Sequence, residues 1–463
     1  MPSGSSPPRR RSPSRPPALT RPRPPAIARA HPPPTGEAVA PADRTVLFLQ
    51  GPPTPFWSEL GDAVAARGAQ VRRVSLNAGD ALFWRRGGAV SYRGRLRGWR
   101  RWLAAFAARE GVTDIVYFAD RLPYHRIAQK VARAAGIGAY AVEFGYLRPD
   151  WLTLEREGGG AYSHFTDDPA RLNPAAPAPD FTARHGHPFL HEAVGEVLYN
   201  LAATFGRPLY PCYAADKYYP PVFDYLCWLA KLARGRAARR GAAAVEAACR
   251  SGAWPYALLA LQLQSDYQLR ACAPYRHQSE TLAEVIASFA ACAAPAQRLV
   301  VKLHPLDNGW ENWPKRVARL AARHGVADRV LTLDGGDLNR LIRDATGVVT
   351  INSTVGVHAL RVGAPVKALG AAIYAMPGLT HQGPLDGFWT APQPPAPAVV
   401  AAFLATLAEQ IQFKGSFYAP EGRRLAADAM AERLLAGRVG PPGPRPAARL
   451  ESLRAARRAR GLV

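Results

Sequence analysis

Residues 347–365 read GVVTINSTVGVHALRVGAP, and the stretch changes character halfway through. Before Asn352 it is a β-branched apolar run, the composition of a buried strand; after Gly356 it becomes a small-residue amphipathic pattern with helical spacing. Between the two lie Asn352, Ser353 and Thr354, a pair of hydroxyls at the mouth of a strand-to-helix turn. Two readings are open. Ser353 caps the helix by accepting an orphan backbone N–H, or the turn faces an anion, because free N–H groups and the helix dipole favour negative charge there.

The same alternation recurs on both sides of this stretch. TVLFLQGPP from Thr45 reads as a strand entering a turn, FWSELGDAVAARG as a helix with a glycine stop, and AQVRRVSLN as a second strand. An amphipathic helix over 98–110, the strand TDIVYFAD, the helix YHRIAQKVARAAG and the run AYAVEFGYL continue it. After a stretch without clear strands, YALLALQLQSD, RLVVKLHP, RVLTLDG, GVVTIN and VKALG resume it. Strands alternating with helices predict parallel, doubly wound sheets. The expectation is an α/β protein with two Rossmann-like domains facing a cleft, the GT-B-like arrangement, with a helical insertion between them. The predicted units are a disordered basic Pro/Arg-rich arm (1–43), an acceptor-side domain (44–182), a helical connecting segment (183–256), a donor-binding domain (257–436) and a basic tail (437–463).

At 463 residues, nearly half of them apolar, the chain has material for two cores. It has no apolar run of membrane-spanning length, and its start lacks the apolar segment of a secretory signal; the expected location is the cytoplasm. Five cysteines without a CxxC pair suit neither a disulfide framework nor a zinc cage. The net charge of +24 suggests nucleic acid at first sight, but half of that excess sits in residues 1–44 and 438–463, and no RNP, helix-turn-helix or finger pattern accompanies it. No HExxH or Walker sequence occurs. The run TDDP at 166–169 mimics a metal-binding DxD but lies in a Pro/Ala-rich loop and is read as solvated, so no metal or cofactor is expected.

Candidate site residues stand where strands end. Gln50 and Gly51 follow the first strand; Asn77 and Asp80 follow the second. Glu143 ends AYAV and is either a partner of Arg148 or a general acid/base. Asp266 closes LALQLQSDYQLR amid Gln262, Gln264 and Gln268, a hydrogen-bonding environment whose plainer reading is a helix cap. Lys302 and His304 alternate in VVKLHPLDNGW, which predicts side chains on one face, suited to a phosphate.

Taken together, QGPPTPFWSEL, LNAGD, VEFGYLRPDWLTLE, LQLQSDYQLR, VKLHPLD, TINSTVGVHAL and GLTHQGPLDGFW resemble the capsular-polysaccharide β-Kdo transferases of the KpsS/LipB type, in order from about residue 45 to 420. The resemblance implies transfer of Kdo from CMP-Kdo, with retention, to a phosphatidylglycerol-type lipid, beginning the poly-Kdo linker of a capsule. It implies work at the inner face of the inner membrane, with other capsule assembly proteins as further partners. Carried over, Asp266 becomes the nucleophile, Glu143 the acid/base and His304 the ligand of the CMP phosphate. Gln50, Gly51, Asn77, Asp80, Gln264, Lys302, Asn352, Ser353, Thr354, His381 and Gln382 become binding residues. Kdo carries a carboxylate on its anomeric carbon, so such a site needs one carboxylate to trap the cationic centre and donors for the anions. The alternative is a non-catalytic capsule assembly or export component.

Overall fold

The computed structural model describes residues 40–186, 189–441 and 443–462, without the side chains of residues 189, 232–234 and 236–240. The predicted arm thus lies almost wholly outside the described residues. The first half contains β1 (Thr45–Phe48), α1 (Phe56–Ala66), β2 (Gln70–Ser75), α2 (Ala78–Leu82), β3 (Ala89–Ser91), α3 (Leu96–Arg109), β4 (Asp114–Phe118), α4 (Pro123–Ala135), β5 (Gly138–Phe144) and β6 (Trp151–Arg156). Every residue of β1 is buried, as expected of a strand covered on both faces. Helix α4 stops where Gly136 takes the left-handed conformation.

Two long helices follow, α5 (Phe189–Phe205) and α6 (Pro221–Arg250). The second half contains β7 (Tyr256–Ala260), α7 (Tyr267–Cys272), α8 (Gln278–Cys292), β8 (Arg298–Lys302), α9 (Trp313–Arg323), β9 (Val330–Leu333), α10 (Leu338–Asp344), β10 (Gly347–Thr350), α11 (Val355–Arg361), β11 (Val366–Ala368), α12 (Leu385–Phe388), α13 (Pro397–Ile411), β12 (Gln412–Lys414), α14 (Pro420–Leu435) and α15 (Ala448–Ala459).

The first sheet runs β12-β6-β5-β4-β1-β2-β3, with β1 to β5 parallel, β6 antiparallel to β5, and β12 at the edge antiparallel to β6. The second runs β11-β10-β7-β8-β9, all parallel. Both sheets reverse strand order beside their first strand, at β1/β4 and β7/β10. Loops leaving such a switch point diverge and open a crevice beyond the strand C-termini. This is the two-domain GT-B-like α/β architecture.

Three features differ from the sequence reading. Strand β6 was not expected: the buried polar residues Thr153 and Glu155 alternate with Leu152 and Leu154, so its composition does not read as core. The donor-side unit does not run to 436, because β12 pairs with β6 and α14 packs on α1. Phe413, Phe417 and Met430 join the core of Val46, Phe48 and Phe56, and Arg423 pairs with Glu59 at 3.0 Å. Residues 437–463 are not a free tail either. In α15, Arg449 donates to the Thr166 carbonyl (3.0 Å) and Arg457 to the carbonyls of Ala273 (2.9 Å) and Arg270 (3.0 Å), and Leu453 is buried. Those guanidiniums satisfy carbonyls of the folded body and are not free for a membrane.

Candidate active site

Because β7 and β10 are hydrogen-bonded neighbours, the loops after Ala260 and Thr350 emerge side by side. Amides brace them. Gln262 Nε2 donates to Asn352 Oδ1 (2.9 Å), Asn352 Nδ2 donates to the Gln268 carbonyl (3.1 Å), and the Gln278 N–H donates to Gln264 Oε1 (2.9 Å). Asn352 and Gln264 therefore hold loops in place. Ser353 realises the cap: its Oγ accepts from the Val355 N–H (3.2 Å), while Tyr374 donates its hydroxyl proton to the Ser353 carbonyl (2.6 Å). Thr354 makes no side-chain capping bond and is half-buried. The glycine that follows Val355 is needed for space, since a Cβ on Gly356 would overlap the Tyr374 ring.

Against this rim the first domain sets the end of β5 and the loop beyond it. Glu143 and Asp266, one from each domain, lie in each other's electrostatic field. Burial, then the nearby carboxylates of Asp120 and Asp266, pushes the Glu143 pKa well above the usual carboxylate range. Asp266 is also raised by burial, but the Gln268 N–H on its Oδ1 (2.8 Å) and the Arg148 guanidinium oppose the rise. Both carboxylates are thus pushed toward the protonated form, Glu143 with two further carboxylates adding to the rise and Asp266 with an N–H and a guanidinium opposing it.

Arg148 is the hub of the cluster. Burial lowers its pKa, against the attraction of Glu192, Asp266 and Glu143. Its Nε is buried without a hydrogen-bond partner among the described residues, its guanidinium stands over the Phe144 ring at 5.0 Å, and its carbonyl accepts from Arg361 of α11 (3.1 Å). His304 and His358 lie in its electrostatic field, and burial, helped by neighbouring cations, holds each near a pKa of about 4. Both imidazoles are consequently neutral at pH 7. His304 Nδ1 accepts from the Leu306 N–H (3.1 Å), which leaves the proton on Nε2 as a donor.

Several expected residues do not join this cluster. β8 ends at Lys302, which lies in the electrostatic field of His304, but its Nζ donates to the Gly335 carbonyl (2.6 Å) and is tied to the loop after β9. Gln50, Asn77 and Asp80 form a sealed network instead of a cleft wall. Gln50 Nε2 (2.5 Å) and Asn77 Nδ2 (2.8 Å) donate to the Tyr199 hydroxyl, which donates to Asp80 Oδ1 (3.2 Å). Gly51 is packed under the Trp57 ring, where a Cβ would not fit. His381 lies beside Phe388 (5.5 Å between rings), a ring that fills the space over Gly347 at the start of β10, so it stands at the opposite end of that strand from Asn352. Gln382 turns back on the Thr380 carbonyl (2.7 Å). TDDP is not simply solvated: Asp168 caps a short turn through the Ala170 N–H (3.0 Å), and Asp167 lies in the field of the buried Arg449.

The structure adds Arg148, His358 and Glu192 to the residues the site uses. His358 had a signal, being one turn beyond the hydroxyl pair. Glu192 had none, because it comes from α5 in the connecting segment.

A family description, capsule polysaccharide biosynthesis protein, matches residues 113–418. The chain belongs to this capsule polysaccharide biosynthesis family. Its relatives include the capsule polysaccharide export protein KpsS of Escherichia coli, 31% identical over 383 residues, covering 80% of this chain and 96% of KpsS. The capsule polysaccharide modification protein LipB of Neisseria meningitidis serogroup A is 29% identical over 388 residues, covering 81% of this chain and 91% of LipB. Among solved structures, the β-Kdo 2,7 transferase of Thermosulfurimonas dismutans KpsC aligns at 15% identity and a TM-score of 0.41, covering 84% of this chain and 98% of that one. That likeness is too distant to carry site chemistry. The family match contains Glu143, Arg148, Asp266, His304 and His358, the whole of the cluster just described.

Proposed function

We propose that this member of the family is a retaining glycosyltransferase that moves Kdo from CMP-Kdo to a phosphatidylglycerol-type lipid and so starts the poly-Kdo linker of a capsule. The observation that carries the reading is that Glu143 and Asp266, buried and contributed one by each domain, are electrostatically coupled and share the field of Arg148 with two neutral imidazoles. A carboxyl that holds a proton, coupled to a carboxylate that a guanidinium and an N–H help to ionise, is the arrangement that covalent glycosyl transfer needs.

In the proposed sequence a carboxylate oxygen of Asp266 attacks the anomeric carbon as its bond to the phosphate oxygen breaks, and CMP departs with the bonding pair. Glu143, protonated in the free site, gives its proton to the departing phosphate. The acceptor hydroxyl then attacks the anomeric carbon, Asp266 leaves as carboxylate, and the hydroxyl proton returns to Glu143. Arg148 faces the Kdo carboxylate, and His304 donates from Nε2 to the CMP phosphate. Thr354 is the hydroxyl of the opening motif left for an anion, since Ser353 is occupied as a cap. The leaving group is a single phosphate monoester, so the proposal requires no metal.

The test is to incubate the purified chain with CMP-Kdo and a phosphatidylglycerol analogue and to measure released CMP and the mass of the lipid product. The expected result is one Kdo added per CMP released, with excess EDTA making no difference. Absence of CMP release and of product would favour the non-catalytic assembly or export reading, and inhibition by EDTA would remove the metal-free mechanism.

A further inference from the structure

Helix α5 is built inside out. Its exposed residues are Leu190, His191, Val194, Val197, Leu198, Leu201 and Phe205, with Leu190 69% and Phe205 75% exposed. At 100° per residue the six apolar ones fall within about 100° of arc, the width of the stripe that an amphipathic helix normally turns to its core. Here that stripe faces away from the protein. The opposite side carries the polar groups: Tyr199 closes the Gln50, Asn77 and Asp80 network, and Glu192 lies by Arg148 in the candidate site. Gly195 is packed against the Pro53 carbonyl, so the helix is seated closely on its polar side.

The exposed apolar surface continues along the chain. Leu209 is 58% exposed, and α6 opens with Val222, Leu226 and Leu229 exposed at the same helical spacing. Trp310, 57% exposed, stands edge-on to Phe223 at that opening. A run of large exposed apolar side chains of this extent marks a contact surface. The sequence of this segment is basic. Arg207 is exposed at the end of α5, and between Asp224 and Glu246 the sequence of α6 carries Lys231, Arg234, Arg236, Arg239 and Arg240 with no acid. Lys231 is occupied by the Asp307 carbonyl and by Asp334 of the fold.

An apolar stripe with cations beside it is the signature of a helix lying in the plane of an anionic membrane surface. No helix among the described residues is long and apolar enough to cross a membrane. We propose that the outer stripe of α5, with Leu209 and the first turns of α6, is the surface by which this chain rests on an anionic lipid bilayer. The acyl boundary covers the apolar stripe and the anionic headgroups meet the exposed Arg207 and the basic sequence of α6. Because the inner side of the same helix supplies Glu192 to the cluster around Arg148, docking sets the candidate site directly above the headgroups. The biological sense of this surface rests on the lipid-acceptor reading above, but docking itself needs no sugar donor.

The experiment is flotation of the full-length protein with vesicles of phosphatidylcholine alone or mixed with phosphatidylglycerol, without CMP-Kdo. The triple variant Leu198→Ser, Leu201→Ser, Phe205→Ser is expected to lose at least ten-fold in binding to the anionic vesicles while its unfolding temperature is not lowered, since these side chains are already in water. Phe205→Ser alone is expected to lose several-fold, which keeps the test decisive if the triple variant folds poorly. Arg239→Gln with Arg240→Gln is expected to weaken binding and flatten its salt dependence. Unchanged binding of the triple and single variants would overturn the assignment. So would conversion of a wild-type dimer to a monomer with vesicle binding intact, which gives the stripe to a second copy. Vesicle binding by wild type that arises only after removal of residues 1–39 would likewise give it to the chain's own N-terminal segment. Transfer to a soluble acceptor, measured in parallel, reports on the enzymatic reading independently.

Discussion

Two polar clusters sit at the C-terminal ends of parallel strands in this protein, and they are in opposite states. In the first domain Gln50, Asn77 and Asp80 converge on Tyr199, whose hydroxyl accepts twice and donates once, so its hydrogen-bonding capacity is filled. Between the domains Glu143, Asp266 and Arg148 converge without such closure: the Glu143 pKa is pushed far up and the Arg148 Nε lacks a partner among the described residues. The sequence presents both as short polar runs after apolar strands. The difference teaches that a strand-end position makes a site only where nothing from the rest of the chain fills it. A satisfied network stabilises; an unsatisfied one stores the cost that substrate binding can relieve.

Opposite responses to substitution follow. The largest effect is expected from Asp266→Asn and Glu143→Gln, which should each lower transfer by orders of magnitude while unfolding temperature stays level or rises, because an amide at 143 is neutral like the protonated acid it replaces and an amide at 266 relieves the desolvation of a buried charge. A tenth of wild-type turnover retained by Asp266→Asn would break the nucleophile assignment. Tyr199→Phe should do the reverse. It orphans the buried Asn77 amide, while Gln50 keeps the Tyr213 hydroxyl (3.3 Å) and Asp80 keeps Arg73 (3.5 Å); an unsatisfied buried donor costs about 1–3 kcal/mol, so denaturant unfolding should shift clearly while turnover of the folded fraction remains. Lost turnover at unchanged stability would move the sealed cluster into the site.

A smaller effect is expected at His304. Removing one phosphate donor in His304→Ala should weaken CMP binding roughly ten-fold by calorimetry, about 1.4 kcal/mol. The same variant sharpens the comparison through pH. His304 is held at about 4 in the folded chain against 6.5 when free, so its neutral form is favoured by folding and its contribution to stability is complete above pH 6.5 and lost as pH falls toward 4. His304→Ala should therefore lose less stability on that acidification than wild type does. An identical pH profile of unfolding would show that the imidazole is not desolvated.

The sequence by itself determined what depends on neighbours along the chain. The apolar strands at Thr45–Phe48, Tyr256–Ala260 and Gly347–Thr350, the amphipathic helices between them and the positions where strands give way to polar loops are set by composition and spacing, and the two-domain α/β fold follows. It also marked Glu143, Asp266 and His304 as candidates. Tertiary structure decided which of the strand-end residues remain available. Tyr199 and Glu192 lie on one helix more than a hundred residues from Asp80 and more than forty from Glu143 or Asp266, and no periodicity signals that the first seals one cluster while the second joins the other. The same holds for β12 and α14, whose apolar faces fit either domain by composition and are assigned to the first only by pairing with β6 and packing on α1. The outward stripe of α5 is the clearest case, since periodicity shows that a helix has an apolar face but only the packed structure shows which way that face points. Local pattern fixes the elements because it acts through backbone geometry and solvation within a few residues; exposure, charge pairing and closure depend on contacts between segments that are distant in sequence.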